Sequence, residues 1–529
     1  MKHHPPVRSL SPSPPVSPSP CPPVSLSPRL PVSPSPRLPI SRSPGFPRAR
    51  RQFLADIGMG FTGLALGSML HADGVSRAAE TSSWSPPNGQ PHFAPKAKSV
   101  IWIFLSGGYS QLETFDPKPS LNKYAGKTFQ ETPYTDPLTS PLHDKRSRSV
   151  IGHVREKYAK IYPLQVGYRK RGELGIEVSD WLPHLSTCVD EIAFVRNVWT
   201  TDNDHAAENQ IHTGRHKLDE TQPSVGAWVT YGLGSMNDNL PQFLVLGGPT
   251  RADTKKSIDS YYLGPKNAGI PLALDPSNPL PYGRRSADIL AQEQRNEFEL
   301  TGQLNRLAAV EYPEDEVVRA RIRSYELAFN MQMAVPEAVD LASETKEARQ
   351  LYGLDNKETK VAGERLLAAR RLVERGVRFV QVYPSPYGVW DSHRALKKNH
   401  AAQTAKVDKP VAGLLKDLQR RGLFDDVLVV FCTEFGRTPA VEERAGGTDG
   451  RDHHPHGFTV WFAGAGIKRG YIHGATDELG FHAIEPGHYV TDMHATVLHL
   501  MGLDGRQLEV PGRKRLDIDH GQPIMDILA

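Results

Sequence analysis

The run Val427-Leu428-Val429-Val430-Phe431 constrains this chain more than any other feature. A strand that is apolar at every position is buried on both faces, which belongs to a sheet covered by helices on both sides. An acid, Glu434, stands just beyond its carboxyl end, and after a Gly-rich loop follows Asp452-His453-His454-Pro455-His456, four possible ligands in five positions. Open α/β sheets carry their chemistry outside the carboxyl ends of their strands. The stretch Asp425–Gly457 is therefore expected to supply much of a metal-dependent active site.

Other segments repeat this grammar. Ser99-Val100-Ile101-Trp102-Ile103-Phe104-Leu105 reads as a buried strand that ends in Ser106-Gly107-Gly108-Tyr109-Ser110, with Glu113 and Asp116 next. That loop lacks the Gly-Lys-Ser/Thr of a Walker phosphate cradle; a tight turn and a ligand loop both fit it. Ile192–Val198 is a strand leading into Asp204-His205, where Asp204 is placed to cap a helix that runs through His212 and ends near Gly214. Val377–Tyr383 is a strand followed by Trp390-Asp391-Ser392-His393, whose Asp and His can face one ion. Strands are also expected at Pro241–Gly248 and Phe458–Gly464, and helices from Asp180, over Gln222–Gly234, over Lys360–Arg375 and over Asp492–Leu503. The runs ELTGQLNRLAAVEY and VVRARIRSYELAFNMQM space apolar residues as helices do. His499 reads as structural; His494 fits either role.

Composition removes several classes. Residues 1–51 hold eight Lys/Arg and no acid, so the net charge of +4 becomes −4 for the remainder, and a nucleic-acid surface is excluded. Cys21, Cys188 and Cys432 are too scattered for a disulfide framework or a thiolate zinc site. Nine of 21 histidines fall between His453 and His520, which points instead to imidazole ligation.

Residues 1–47 form a Pro/Ser tract expected to be a disordered tail. Residues 48–79 carry Arg50-Arg51-Gln52-Phe53-Leu54, a Gly/Ala-rich apolar run and a small-x-small site at Ser76-Arg77-Ala78, the order of a twin-arginine export signal. Its glycines and Asp56 make it a poor membrane anchor, so no stable membrane span is expected. Residues 80–97 read as a linker and 98–529 as one domain, with a helical insertion around 286–375 and a polar, substrate-side segment at 120–175.

Taken together, Ser106–Ser110 with Glu113–Pro119, Trp390–His393, Thr433-Glu434-Phe435-Gly436-Arg437-Thr438-Pro439, Gly450–Pro455 and the Asp492–Leu503 helix resemble a bacterial family of twin-arginine-exported proteins. That family is a domain of unknown function placed near sulfatases in the alkaline phosphatase superfamily. The resemblance runs from about residue 50 to the C-terminus. It implies an α/β fold with a mostly parallel central sheet flanked by helices, holding one or two divalent metal ions (zinc, manganese, calcium or magnesium). It implies Asp391, His393, Glu434, Asp452 and one of His453, His454 or His456 as ligands, with Glu113 or Asp116 standing in for the first acid. The segment Asp204–Arg215 resembles the sulfatase signature, but Asp204 stands where the formylglycine precursor belongs, and no Cys or Ser occurs from Asp202 to Arg215. The implied activity is hydrolysis of sulfate or phosphate esters, small or glycan-borne, by a metal-activated water or with Asp204 or His205 as base or nucleophile, and with Arg437 or Arg215 neutralising the anion. The alternative is an inactive relative that binds anionic glycans or a partner protein. The export machinery is the other expected partner, and the location periplasmic or extracellular.

Overall fold

Continuous apolar runs do become buried strands. In the computed structural model they form β1 (Ser99–Phe104), β2 (Ile192–Trp199), β3 (Phe243–Leu246), β4 (Ile270–Leu272), β5 (Phe379–Val382), β6 (Val427–Cys432), β7 (Phe458–Gly464), β8 (Tyr471–His473) and β9 (His488–Tyr489). The structure describes residues 87–529 except 147–159, 238, 250–253, 443–447, 514 and most of 281–333. The tail, the twin-arginine segment and most of the two helical runs expected between 286 and 333 lie outside the described residues.

The sheet order is β8-β2-β7-β6-β1-β5-β3-β4, and β9 also pairs with β2. Every pairing is parallel except those of β7, which runs against both β2 and β6. The fold is thus α/β with a mostly parallel sheet. Alternate side chains of β1 enter opposite layers, as the period of two requires. Ile101 and Ile103 pack with helices Lys360–Glu374 and Leu396–Arg420. Val100, Trp102 and Phe104 pack with α-helices Ala207–Thr213, Val225–Leu233 and Val490–Leu500.

Three expectations need correction. The Lys360–Glu374 helix buries Leu366, Leu367 and Leu372 in the same core as β1 and β5, so it covers the sheet and is no insertion. No α-helix starts at Asp180; a 3-10 segment spans Leu185–Glu191, and the Asp408 carboxylate accepts from the backbone N–H of His184 at 2.8 Å and of Leu185 at 2.7 Å. Pro183 cannot donate within a helix, which favours this late, tight start. The helix after β2 begins at Ala207, with Gly214 in the left-handed region (φ +78°) closing it. The Asp204 carboxylate does not cap it and meets Lys217 Nζ at 3.1 Å instead.

Candidate metal centre

The carboxyl ends of β1, β2, β5 and β6 deliver Gly107, His205, Asp391 and Glu434 to one edge of the sheet. Close approach there demands glycine: a Cβ on Gly107 (φ +119°) would sit 2.6 Å from the Asp391 nitrogen. The reversed strand β7 adds the residues that precede it. Just before it, Gly436–Arg437 and His453–His454 form a two-stranded antiparallel ribbon with His453 opposite Arg437.

Three donor atoms converge. Asp391 Oδ1 lies 3.1 Å from His393 Nε2 and 3.1 Å from His453 Nε2, and the two nitrogens are themselves 3.1 Å apart. Their protonation follows from the far side of each ring. His453 Nδ1 is 2.7 Å from the Asn203 carbonyl oxygen, so Nδ1 carries the proton and donates. His393 Nδ1 faces two carboxylates, Glu442 Oε2 at 3.2 Å and Asp452 Oδ1 at 3.5 Å, so it too carries a proton. In the neutral rings both Nε2 atoms present lone pairs to each other and to a carboxylate. Such an arrangement calls for positive charge at its centre, a proton or a metal ion.

The donor set fits a metal. Bonds of about 2.1 Å place neighbouring ligands about 3.0 Å apart on an octahedral ion and about 3.4 Å apart on a tetrahedral one. Ligating histidines usually donate their other N–H to a carboxylate or carbonyl, as both do here. Burial holds the His453 imidazole down at about 3, so it stays neutral and able to ligate. Burial would raise the Asp391 carboxyl, but hydrogen bonds from His205, His393 and His453 and the Arg437 charge hold it far below the usual range. Phe435 stacks on His453 at 4.3 Å between ring centroids and fixes the ring plane. The Asp391 and His393 side chains each remain 27% exposed, so the centre opens to solvent on one side.

His205 stands beside this centre in a different state. Its Nε2 is 3.1 Å from Asp391 Oδ2 and its Nδ1 is 3.1 Å from Glu434 Oε1. Burial pushes the ring down, but the two carboxylates more than reverse this and raise it to about 9. With a carboxylate against each ring nitrogen His205 favours the protonated form, and with Asp391 and His453 it is also placed to hold an ion. Glu434 is fully buried, accepts from Gly107 N at 2.7 Å and from Thr433 Oγ1 at 2.9 Å, and reaches the centre through His205.

Several expected site residues are occupied elsewhere. Glu113 is fully buried against Arg451, with Oε1 2.7 Å from Nη2. Asp116 meets Lys118 Nζ at 3.1 Å and the Thr476 hydroxyl. Asp452 braces the centre, with Oδ1 3.5 Å from His393 Nδ1 and accepting from the His453 backbone N–H at 2.8 Å, and its carboxylate lies within reach of an ion shared with His393 and His453. His454 and His456 face away from Asp391, because consecutive strand residues point to opposite sides and His454 and His456 share the side opposite His453. The Arg437 guanidinium is wholly buried among the carbonyls of Gly107, Gly108 and Arg451 and bonds Asp391 Oδ1 at 2.7 Å; it pins the β1 loop and is not free to clamp an anion. Arg215 is spent on Asp519.

Two participants were not foreseen. Glu442 lies in a loop with no periodic signal. Glu208 lies in the first turn of the helix that begins at Ala207, three residues past His205, and on the helix expected from Asp204 that spacing was a signal. Burial and the Glu434 charge push the Glu208 carboxyl up to about 8. Its Oε2 accepts from Ser106 Oγ at 3.2 Å, and the Tyr383 hydroxyl is a further hydrogen-bond partner of the carboxyl.

These features define an α/β protein with a carboxylate–imidazole centre at the carboxyl edge of its sheet. The chain belongs to the family described as Protein of unknown function (DUF1501), whose model matches residues 97–528. No curated protein matches it. Among solved structures it is similar to a phosphonate monoester hydrolase from Silicibacter pomeroyi (10% identity, 81% of this chain and 76% of that one, TM-score 0.36). It is also similar to a lipoteichoic acid synthase from Listeria monocytogenes (9%, 83% and 80%, TM-score 0.34) and an alkaline phosphatase from the Antarctic bacterium TAB5 (10%, 78% and 99%, TM-score 0.31). Likeness of this order leaves the functional reading to the site itself.

Proposed function

We propose that the chain is a metal-dependent hydrolase of phosphate or sulfate esters, acting outside the cytoplasm. The observation that carries this is the convergence of Asp391 Oδ1, His393 Nε2 and His453 Nε2 at 3.1 Å, with both far ring nitrogens held by acceptors. When bound, a divalent ion supplies Lewis-acid polarisation of an ester oxygen. Zinc or manganese suits the mixed imidazole and carboxylate donors best. Glu442, Asp452 and the Asn203 carbonyl orient the ligands. His205, gripped between Asp391 and Glu434, holds a proton beside the open face and can give it to a departing alkoxide. Asp204, turned to Lys217, has no part in this scheme. A formylglycine route is closed because residues 202–215 hold no Cys or Ser. Export rests on the Arg50-Arg51 signal. Among the described residues no helix is long and apolar enough to cross a membrane.

One observation favours a second reading, a non-catalytic relative that binds an anionic glycan or a partner: Arg437 and Arg215 are both consumed by internal partners. The two readings separate on one protocol. The purified chain is assayed for bound metal and for turnover of aryl phosphate and aryl sulfate, before and after chelation and reloading with zinc or manganese. Metal-dependent turnover that His205→Asn abolishes while metal is retained supports the hydrolase. Retained metal with no turnover supports the binder, and a folded chain that takes up no ion at Asp391 and His393 defeats the hydrolase.

A further inference from the structure

The turn that carries Asp391 and His393 is held from behind by a helix that lends no ligand. We infer that His400 is a positioning residue for the metal centre proposed above: by clamping Ser392 it fixes the separation of Asp391 and His393. Ser392 stands between the two ligands and is fully buried, as is His400 in the second turn of the helix Leu396–Arg420. Asp391 Oδ1 and His393 Nε2 meet at 3.1 Å on one side of the turn, and the residue between them faces the other way, into the helix.

Two sets of bonds carry this role. First, every bonding position of the Ser392 hydroxyl is used. It donates to the Trp390 carbonyl at 3.3 Å and accepts from Asn399 Nδ2 at 2.6 Å and from His400 Nδ1 at 3.0 Å. A hydroxyl offers one proton and two lone pairs, so nothing is left over and the oxygen has one place to sit. Second, the far side of the His400 ring is engaged as well. Its Nε2 accepts from the backbone N–H of Ser110 at 2.9 Å, which places the ring proton on Nδ1 and makes His400 the donor to Ser392. Trp390 meets the ring edge-on, at 5.4 Å between centroids, and closes off the remaining side.

The bridge joins two parts of the centre. Ser110 lies in the loop after β1, whose Gly108 carbonyl accepts from Arg437 Nε at 2.8 Å, and Arg437 in turn bonds Asp391 Oδ1 at 2.7 Å. That loop therefore reaches the ligand turn twice, through Arg437 to the Asp391 carboxylate and through His400 to the residue that follows it. Burial and the Arg437 and Arg451 charges hold the His400 imidazole down at about 3, so the ring stays neutral and keeps one donor and one acceptor. An apolar side chain would fill the same space beside Trp390 and make neither bond. A buried polar network with every member satisfied specifies a single arrangement, which is what a pair of ligands held at a fixed distance requires.

The test is the zinc affinity of the full chain by chelator competition, with the visible spectrum of the Co2+-loaded protein as a second readout; neither depends on turnover. Ser392→Ala and His400→Met should each weaken zinc about tenfold, the lower figure for a group that orients a ligand, and each should shift the Co2+ band. Because His400 acts through Ser392, the double variant should also lose about tenfold, not the roughly 100-fold of two independent effects. Should His400→Met fail to fold by circular dichroism, His400→Leu takes its place. Single variants that hold zinc within about twofold of the parent, or a double variant near 100-fold, overturn the role: a side chain that only packs the core lowers the melting temperature and leaves affinity and spectrum alone. A parent chain that binds no zinc overturns the metal centre and this role together, whereas one that binds zinc without turnover removes the hydrolase reading and not the clamp.

Discussion

Replacing Glu442 with Gln should weaken metal binding without touching any ligand atom. Glu442 Oε2 accepts the Nδ1 proton of His393 at 3.2 Å, and that bond keeps Nε2 deprotonated and aimed at Asp391 and His453. Loss of such an orienting carboxylate typically costs 10- to 100-fold in metal affinity. Here the lower figure applies to the single change, because Asp452 Oδ1 stands 3.5 Å from the same nitrogen and can take over. Glu442→Gln alone should therefore weaken zinc about tenfold, or about 1.4 kcal/mol, and Glu442→Gln with Asp452→Asn about 100-fold, or about 2.7 kcal/mol. The assay is competition with a chromophoric chelator at constant pH, using Glu485→Gln as the control because Glu485 lies outside the centre. A double variant that holds zinc within twofold of the parent, with an unchanged circular dichroism spectrum, would refute the claim that the far-side carboxylates fix these tautomers.

Gly450→Ala places a Cβ 2.0 Å from the His393 carbonyl oxygen and 2.5 Å from the Arg394 nitrogen, so the His393 backbone must move; both the melting temperature and zinc affinity should fall, and a variant equal to the parent in both would contradict the packing. Arg451→Met strands the buried Glu113 carboxylate and should cost about 3–5 kcal/mol in urea unfolding, most of it restored by adding Glu113→Gln; Glu113→Gln alone should leave metal content unchanged, which a metal-free Glu113→Gln protein would disprove. Burial pulls the His494 imidazole down to about 4 from its usual 6.5, so the native state resists a proton that the unfolded chain accepts. Its contribution is complete above pH 6.5 and is lost as pH falls toward 4, up to about 3 kcal/mol; His494→Gln should flatten that part of the stability profile, and an unchanged slope would remove His494 as its source.

The sheet was legible because a strand buried on both faces has no choice of composition: Val427–Cys432 and Ser99–Phe104 could be little else. Short edge strands such as Ile270–Leu272 and His488–Tyr489 were missed, since their pairing is imposed by neighbours far along the chain. In the centre, Asp391, His393 and His453 were legible from their place after a strand or within a ligand-rich run. Glu113 was misread because its partner, Arg451, lies 338 residues away and no local pattern announces a buried ion pair. Asp204 was misread because an expected N-cap found Lys217 instead. His454 and His456 were credited to the wrong place because a run of histidines, once extended, must send alternate rings to opposite sides.

The reversed strand β7 has a consequence for how such a protein can diverge. In a wholly parallel sheet only residues that follow strands reach the carboxyl edge. Here the chain leaves that edge through β6 and comes back through β7, its immediate neighbour. Glu434, Arg437, Glu442, Asp452 and His453 all ride on that single excursion, whose two ends are tied by adjacent strands and by the ribbon at His453 and Arg437. New specificities can arise by rewriting one tethered loop, while the sheet beneath it, and Asp391 and His393 on the opposite wall, stay as they are.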